Sequence, residues 1–439
     1  MTLTLLRRGR DWTLLGLPWA LVFVTHLFYG AFLPVPALSL VASGSALTLL
    51  ALLNRERADD LAGVRGLKLI AAVFVAVMAV GFWSLTDAMP SGVHPLWIWA
   101  GREEGAATID RSATVIELLK LMGLACFFVL GCLLGARSER ARKTLTALLA
   151  IGAVWALWAF VTFLGSGQRL SATRLDGGFY TSNSAGTVLG MLMVVAVGWT
   201  LSQWRQTKGL ARLDQLSRAI PGLACVLLFA ACLLLTSSRA AIGATLLAVM
   251  LVMVCDGVAG GSRRFVRIWV VACAAAIGLA VYAATRTSSL QRFDTVGIDA
   301  ELRRTLLDVH WQAFLASPLT GHGLGTYTWI NNQQTTAETY PILSATVVLH
   351  NAPIQWLEEA GLLGALPMFG LVVSIIGFTV CHALHRRSDR SLLFSLVAAS
   401  LLIVLHSLAD VSLQTPSITA FWALILGVGY AASQASMRR

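Results

Sequence analysis

The stretch Val348-Leu349-His350-Asn351-Ala352-Pro353, with its continuation Glu358-Glu359-Ala360-Gly361-Leu362-Leu363-Gly364, decides how this chain folds. It places one histidine and two glutamates between a long hydrophilic segment and a new apolar run. Asn351 is a favourable N-cap residue and Pro353 suits a first helical turn, so we expect a helix from Ala352 onward. His350 is therefore predicted to lie at the start of a helix, and it is the first candidate for chemistry.

The composition around this stretch is that of a membrane protein. Of the 439 residues, 57% are hydrophobic and 13% charged, and the mean hydropathy is +0.74. Soluble domains carry about 25% charged residues. A net charge of +11 would suggest nucleic acid in a soluble protein, but in a membrane protein the distribution of basic residues between the two sides matters more. We therefore expect membrane lipids as partners and no nucleic acid.

Twelve apolar runs are long enough to cross about 30 Å of hydrocarbon. They lie near residues 12–33, 35–53, 67–85, 113–135, 145–166, 184–202, 219–236, 239–257, 268–285, 361–383, 391–409 and 416–434. The predicted fold class is an all-α polytopic membrane protein of about twelve transmembrane helices.

The arginines and lysines predict the orientation. The connections on the side of the N-terminus hold 23 basic residues, the opposite connections hold 9, and Lys120 lies inside a helix. Basic residues accumulate on the cytoplasmic side of membrane proteins. We therefore expect both termini in the cytoplasm and the remaining loops on the opposite, outward side of the membrane.

One outward segment, about 286–352, is far longer than the other connections, and structureless loops of that length are uncommon. We expect a helical outward cap, and a division into helices 1–9 over 1–285, a cap carrying His350 over 286–360, and helices 10–12 over 361–439.

Within the cap, residues 300–317 are predicted to be helical. Leu302, Leu306, Val309 and Ala313 recur at helical spacing, with Arg303 and His310 on another face. Gly321-His322-Gly323-Leu324-Gly325 is predicted to be a flexible turn.

The outward side also offers a set of arginines that could bind an anion. Arg174 precedes the sixth helix, Arg239 begins the eighth, and Arg303 or Arg304 comes from the cap. Any one outward arginine could simply lie in solvent or at the membrane interface. Arg239, however, follows a turn of about two residues between apolar runs, where a guanidinium needs an anionic partner. Several such arginines indicate a phosphate clamp, because the planar guanidinium meets phosphate oxygens in pairs.

His350 is the candidate general base. A lone histidine is more often structural, but the positive end of a helix dipole and nearby arginines both lower the pKa of an imidazole. The neutral ring that results is the form a general base requires.

These residues carry a family resemblance. His350-Asn351, nine residues, Gly361, two residues and Gly364 resemble the signature of bacterial O-antigen ligases, which share a superfamily of membrane glycosyltransferases with O-antigen polymerases and protein O-oligosaccharyltransferases. Ser238-Arg239-Ala240, Arg174 ahead of Asn183, and the glycines 321, 323 and 325 are also similar to that superfamily. The resemblance covers roughly residues 170–420.

The resemblance implies a GT-C-like glycosyltransferase of the bacterial inner membrane that moves polysaccharide en bloc from undecaprenyl pyrophosphate to the lipid A-core acceptor, with inversion. The outward side, and the helical cap on it, would then be periplasmic. It implies that Arg174 and Arg239 hold the pyrophosphate and that His350 deprotonates the acceptor hydroxyl. Asn351 and the pair Arg303 and Arg304 are further candidate substrate-binding residues. The arginine before Trp311 departs from the family spacing, and Arg303 is favoured over Arg304 for a supporting role.

No cofactor or metal is expected. The Asp59-Asp60 pair lies in a predicted cytoplasmic loop beside three arginines and is interpreted as a solvated charge cluster. Glu358 and Glu359 could bind sugar hydroxyls or lie on a helix surface.

The alternatives are an O-antigen polymerase, a protein O-oligosaccharyltransferase or a secondary transporter. The candidate midplane charges of a transporter are few, chiefly Glu117 and Lys120, which are spaced to pair with each other on one helix.

Overall fold

A computed structural model shows the chain to be helical throughout the part that it describes. The described residues are 15–102, 104–165, 174–207, 209–259, 290–344, 346–386 and 388–435. The side chains of residues 259 and 290–302 are not among them. Within these ranges there is no β-strand, and the all-α fold class is confirmed.

The helices follow one another with short connections, except where the cap intervenes. They are α1 (Leu15–His26), α2 (Pro34–Leu52), α3 (Arg55–Ala62), α4 (Leu67–Ser84), α5 (Pro95–Trp99), α6 (Arg111–Gly135), α7 (Ser138–Gly165), α8 (Ser182–Gln206), α9 (Arg212–Leu235), α10 (Arg239–Ala259), α11 (Leu290–Ala316), α12 (Tyr327–Gln333), α13 (Tyr340–Leu343), α14 (Ala352–His385), α15 (Arg390–His406) and α16 (Pro416–Gln434).

Nine helices in the described part are long and apolar enough to cross a membrane, and α1 and α15 are shorter apolar helices. These eleven coincide with eleven of the twelve predicted runs, so the prediction of a polytopic helical membrane protein is confirmed. The remaining run, 268–285, lies outside the described residues.

Glycines let the central helices approach closely. A Cβ atom on Gly131 would lie 2.4 Å from the carbonyl oxygen of Leu424, and one on Gly135 would lie 2.4 Å from that of Val428. These contacts join α6 to α16. Small residues at such interfaces allow the close backbone packing that holds membrane helices together. Helix α8 is enclosed by α9, α10 and α15, and most of its residues are buried.

The two ends of the bundle differ in charge. The short helix α3 lies at the end opposite the cap, where Asp60 accepts from Arg137 and Arg140 at 2.9 Å each. Asp59 is exposed as expected, whereas Asp60 is half-buried in these ion pairs and is not a solvated charge.

The predicted pairing of Glu117 with Lys120 on α6 is confirmed, with a separation of 2.5 Å.

Helix α14 is broken near its start, at Gly361, and the break receives the cap. Gly361 has φ 58° and ψ −175°, so the helical hydrogen bonds on either side of it cannot all form. The segment after α11 supplies the missing partners. Leu362 N donates to Pro318 O at 2.8 Å and Leu363 N to Leu319 O at 3.1 Å.

A second set of hydrogen bonds runs in the opposite direction. Its donors lie in residues 321–325, here called the glycine loop, and its acceptors lie in the turn of α14 before Gly361. His322 N donates to Glu358 O at 3.0 Å and Gly323 N to Glu359 O at 2.8 Å. Gly321, Gly323 and Gly325 all have positive φ. The predicted flexible turn is therefore a hydrogen-bonded loop that crosses α14, and the prediction of flexibility is wrong.

The main cap helix, α11, begins ten residues before the predicted start at 300. Leu306 and Ala313 are buried as the apolar spacing predicts. His310, however, is fully buried beside them, while Arg303 is exposed. Arg303 and His310 are seven residues apart on this continuous helix and so share a face, as predicted. The two differ in exposure because His310 has a buried carboxylate partner contributed by α14.

A pair of histidines also joins the cap to the loop between α4 and α6. His322 Nε2 is 2.9 Å from the carbonyl oxygen of Ala313, so this nitrogen carries a proton and Nδ1 accepts. His94 Nε2 lies 3.1 Å from that Nδ1 and donates to it, while His94 Nδ1 accepts from Leu96 N. Both rings are therefore neutral. Burial and then the proximity of His322 lower the pKa of His94 to about 4, and burial lowers the pKa of His322.

Replacing Gly361 by alanine should detach the cap from α14. A side chain at this positive φ is strained by about 1–3 kcal/mol, and its Cβ would lie 2.4 Å from Leu319 O. We expect a lower thermal unfolding midpoint in detergent and faster proteolysis of the cap. Gly370→Ala is the matched control on the same helix, because a Cβ at Gly370 has no neighbour within 4 Å. Equal stability of the two variants would contradict this account.

Acidification should weaken the contact between the cap and the loop that carries His94. Because the folded pKa is below the ordinary value of about 6.5, the stabilisation is complete above that pH and is lost as the pH falls from about 6.5 towards 4. The thermal midpoint should drop between about pH 7.5 and pH 5. His94→Gln, which can still donate to His322, should reduce this pH dependence, and His385→Gln at the opposite end should preserve it.

Candidate functional site

His350 lies in the connection between α13 and α14 and is fixed from both sides by backbone hydrogen bonds. Asn351 is the N-cap of α14, and its Oδ1 accepts from Ile354 N at 3.0 Å. Its Nδ2 donates to Leu408 O at 3.0 Å, and Ala352 N donates to Ser407 O at 3.0 Å. The start of α14 is thus tied to the connection between α15 and α16.

The residue before His350 is held in the same way. Leu349 is buried, its N–H donates to Gln355 Oε1 at 3.2 Å, and its carbonyl accepts from Gln414 Nε2 at 3.1 Å. The imidazole of His350 is half-buried, and its Nδ1 is buried without a hydrogen-bond partner among the described residues. The backbone is therefore fixed while one ring nitrogen stays unused.

The surroundings of His350 favour the neutral ring. Burial lowers the pKa of His350, the carboxylate of Asp410 opposes this effect, and the guanidinium of Arg303 adds to it. Arg303 is exposed at the cap side of this histidine. Arg304 is instead directed at Asp308, 3.9 Å away, with 85% of its side chain exposed. Of the two arginines, Arg303 is the one that acts on His350.

Asp410 is a site residue that the sequence interpretation missed. It is fully buried, its Oδ2 accepts from Ser412 Oγ at 2.5 Å, and its Oδ1 is buried without a partner among the described residues. His406 Nδ1 lies 3.8 Å from the same carboxylate. The available signal was an isolated acid at the outward end of the predicted helix 391–409, where an unpaired charge is costly.

Arg174 is bonded to the turn that precedes Arg239. Its Nε donates to Thr236 O at 2.7 Å and its Nη2 to Asn183 Oδ1 at 2.8 Å. Leu175 N donates to Leu235 O at 3.0 Å, so the segment before α8 runs along the end of α9. The structure therefore brings Arg174 beside the segment that carries Arg239.

Arg239 begins α10 after a tight turn in which Ser237 has φ 52° and Ser238 is buried. The Arg239 side chain is exposed. Among the described residues, no carboxylate lies within ion-pairing distance of its guanidinium. A guanidinium that is exposed at a helix start and has no acidic partner can bind an anion from outside the protein.

The first turns of α8 connect these arginines to the surroundings of His350. Asn183 bonds to Arg174. Gly186 allows the turn before Arg239 and the start of α10 to pack closely, since a Cβ there would lie 3.3 Å from that of Ser238 and 2.9 Å from that of Ala241. One residue further, Thr187 Oγ1 lies 2.8 Å from His406 Nδ1 and 2.7 Å from Ser412 Oγ. The arginines and the carboxylate near His350 therefore share one supporting helix end.

Glu358 and Glu359 lie on neither a helix surface nor an open cleft. Both are buried under the cap, with 0% and 7% of their surface exposed. Glu359 accepts from Gly325 N at 2.8 Å and from Gln355 Nε2 at 3.0 Å. Glu358 accepts from His310, and its Oε1 is buried without a partner among the described residues, so neither carboxylate is presented at the protein surface.

The described residues include no group of three or more histidine, cysteine, aspartate or glutamate side chains arranged to hold a metal ion.

The comparison with known families points to the same part of the chain. Residues 223–369, about a third of the sequence, match the family model described as O-Antigen ligase. The match includes Arg239, the described cap helices, His350 and the glycines of the α14 break. No curated protein matches the chain.

Proposed function

Because the matched domain assigns this chain to the O-antigen ligase family, we propose that it is a glycosyltransferase that moves a polysaccharide en bloc from undecaprenyl pyrophosphate to a sugar of the lipid A core. The reaction takes place on the periplasmic face of the bacterial inner membrane. The observation that carries this proposal is His350, a half-buried neutral imidazole fixed at a helix start beside Asp410 and Arg303.

His350 acts as the general base. In a single displacement it removes the proton of the acceptor hydroxyl while the hydroxyl oxygen attacks the anomeric carbon of the donor sugar. The bond from that carbon to the pyrophosphate oxygen breaks, undecaprenyl pyrophosphate leaves with the electron pair, and the anomeric configuration inverts. Burial supports this role, because it keeps the imidazole unprotonated at neutral pH.

Asp410 orients the base. The buried Oδ1 of Asp410 and the buried Nδ1 of His350 both lack partners among the described residues, and the two groups interact electrostatically. A hydrogen bond from Nδ1–H to this carboxylate in the substrate complex would leave Nε2 as the basic nitrogen. It would also stabilise the imidazolium that forms when the proton is transferred.

Arg174 and Arg239 bind the pyrophosphate. Arg239 supplies an exposed guanidinium at the start of α10, and Arg174 holds the turn in front of it. Guanidinium groups neutralise the charge that develops on the leaving oxygen, which is the main requirement when the leaving group is already activated. We therefore propose transfer without a metal ion. Arg303 assists at the cap side, and Asn351 contributes by fixing the helix start.

The proposed orientation has both termini in the cytoplasm. It is supported by the described basic residues at the bundle end opposite the cap, which include Arg137, Arg140, Arg205 and Arg386. Positively charged loops remain on the cytoplasmic side during insertion. The cap and His350 would then face the periplasm, where the lipid A-core acceptor is presented.

Deletion of the gene in its host tests the acceptor. If the protein is the ligase, lipopolysaccharide electrophoresis should show bare core, and lipid-linked polymer should accumulate because its release by transfer is blocked. Core that carries a single repeat would instead indicate a polymerase, and loss of sugar from a protein with normal lipopolysaccharide would indicate a protein transferase. Transport of an anion by reconstituted protein, without glycosyl transfer, would contradict the enzyme assignment.

Replacing His350 by glutamine should reduce kcat for transfer by about 100-fold or more, since general-base catalysis contributes about 10²–10⁴ in rate. In the wild-type protein the rate should fall on the acidic side only below pH 6.5, because burial lowers the pKa of His350. The measurement is the rate of transfer by reconstituted protein. A chelator should leave this rate unchanged, because the proposed transfer uses no metal ion. Gln312→Ala, on the exposed face of α11, is the control, and full activity of His350→Gln would refute the assigned base.

A further inference from the structure

Besides His350 and Asp410, a second histidine–carboxylate pair joins the cap to α14. The proposed chemistry does not use this pair directly. His310 Nδ1 on α11 is 2.7 Å from Glu358 Oε2 on α14, and both side chains are fully buried. The ring of His310 stacks on that of Tyr327, with centroids 4.7 Å apart and planes inclined by 17°. A buried pair of this kind gives little net stability compared with apolar residues, so stability alone does not account for it.

The hydrogen bonds determine the protonation of this pair. Asn331 Nδ2 donates to the carbonyl of Leu343 at 2.8 Å and is 3.4 Å from that of Thr346. Its Oδ1 therefore faces His310, 3.4 Å from Nε2, and this nitrogen must carry a proton. Because Nδ1 faces a carboxylate oxygen, one further proton lies between His310 and Glu358. It is shared as imidazolium and carboxylate or as imidazole and carboxylic acid.

The groups around the pair favour the retention of this proton. Glu359 is the adjacent carboxylate on α14, and Glu117 on α6 acts on it from the other side. Tyr327 from α12 is held neutral, since burial and then the two neighbouring glutamates raise its pKa. Tyr327 packs in an apolar cluster with Leu306 of α11, Leu343 of α13 and Leu349 from the segment before His350. No further cation among the described residues bonds to Glu358.

The pair is connected to the segment that carries His350. His310 orients Asn331, which holds the carbonyls of Leu343 and Thr346. Tyr327, stacked on His310, donates through its hydroxyl to Thr346 Oγ1 at 3.2 Å. Leu349, next to His350, is fully buried in the same cluster as Tyr327. These contacts run from Glu358 to the residue before the proposed base.

We propose that His310 and Glu358 are positioning residues for the glycosyl transfer, which set the place of His350 through Asn331 and Tyr327 by sharing one proton. The inference rests on the proposed function. Loss of the shared proton at high pH would leave a carboxylate facing the lone pair of Nδ1. The contact would become repulsive, Asn331 would be released, and kcat would fall on the alkaline side.

Two variants separate positioning from stability. Glu358→Gln supplies an amide N–H that can donate to Nδ1 of a neutral His310, so the arrangement no longer depends on the extra proton. His310→Phe preserves the stacking on Tyr327 but breaks both hydrogen bonds and leaves Glu358 without a partner. Because an unpaired buried carboxylate destabilises the fold, the double variant His310→Phe with Glu358→Leu restores an apolar contact while the link to Asn331 stays broken.

The experiment measures glycosyl transfer by the full-length protein in lipid nanodiscs from about pH 6 to pH 10, together with thermal unfolding. We expect Glu358→Gln to keep kcat within about threefold at neutral pH and to lose the alkaline decline. The double variant should unfold near the wild-type temperature, yet its kcat should be about 10- to 100-fold lower with both KM values within about twofold. Gln312→Ala on the same helix should match the wild type.

Two results would overturn the positioning role. One is a double variant that recovers kcat together with stability, which would make the pair merely structural. The other is an alkaline profile that is the same in Glu358→Gln and in the wild type. Absence of transfer by the wild-type protein would instead overturn the proposed function, so the two failures are distinguishable.

Discussion

The break in α14 at Gly361 is the constraint on which the rest of this structure depends. A transmembrane helix satisfies its own backbone hydrogen bonds, and a residue with positive φ near its start leaves several of them open. The chain closes them with a segment more than thirty residues away in sequence, through bonds from Leu362 and Leu363 to Pro318 and Leu319 and from His322 and Gly323 back to α14. The cap is attached to the membrane helix by main-chain bonds, and these depend on the backbone conformation at Gly361.

This attachment explains why two consecutive glutamates can be buried directly before the break. A buried carboxylate needs donors at close range. Glu359 receives two from the cap, at Gly325 N and Tyr327 N, and Glu358 receives one from His310. The donors come from the parts of the cap that the backbone bonds place over α14. The order of dependence therefore runs from the backbone break to the buried carboxylates and from these to the segment that carries His350.

The sequence predicted the features that depend on local pattern. Apolar runs of transmembrane length located eleven of the described helices, and Asn351 followed by Pro353 marked the start of α14 because capping involves neighbouring residues only. It could not predict the partners of His310, Glu358 and Asp410. The groups that pack around each of these side chains, and so decide whether it has a hydrogen-bond partner, are distant in the sequence. The spacing of residues along one helix does not reveal those groups. The glycines at 321, 323 and 325 were interpreted as a flexible turn for the same reason. Their partners are distant in the sequence: Gly323 N donates to Glu359 O and Gly325 N to the Glu359 carboxylate, and a Cβ at Gly321 would lie 2.4 Å from Glu359 O.

The two halves of the proposed site are supported by different parts of the fold. The arginine half, with Arg174 and the turn before Arg239, rests on α8, α9 and α10 inside the bundle. The base half rests on the cap and on the connection from Ser407 to Gln414, which is tied to α8 through Thr187. A donor whose pyrophosphate lies at the arginines and whose anomeric carbon must reach His350 has to extend from one half to the other. In the proposed reaction, the contacts at Thr187 and at the α14 break would therefore set the separation between leaving group and base. A shift of the cap by about 1 Å would cost more in rate than in binding, because proton removal and bond cleavage occur in the same displacement.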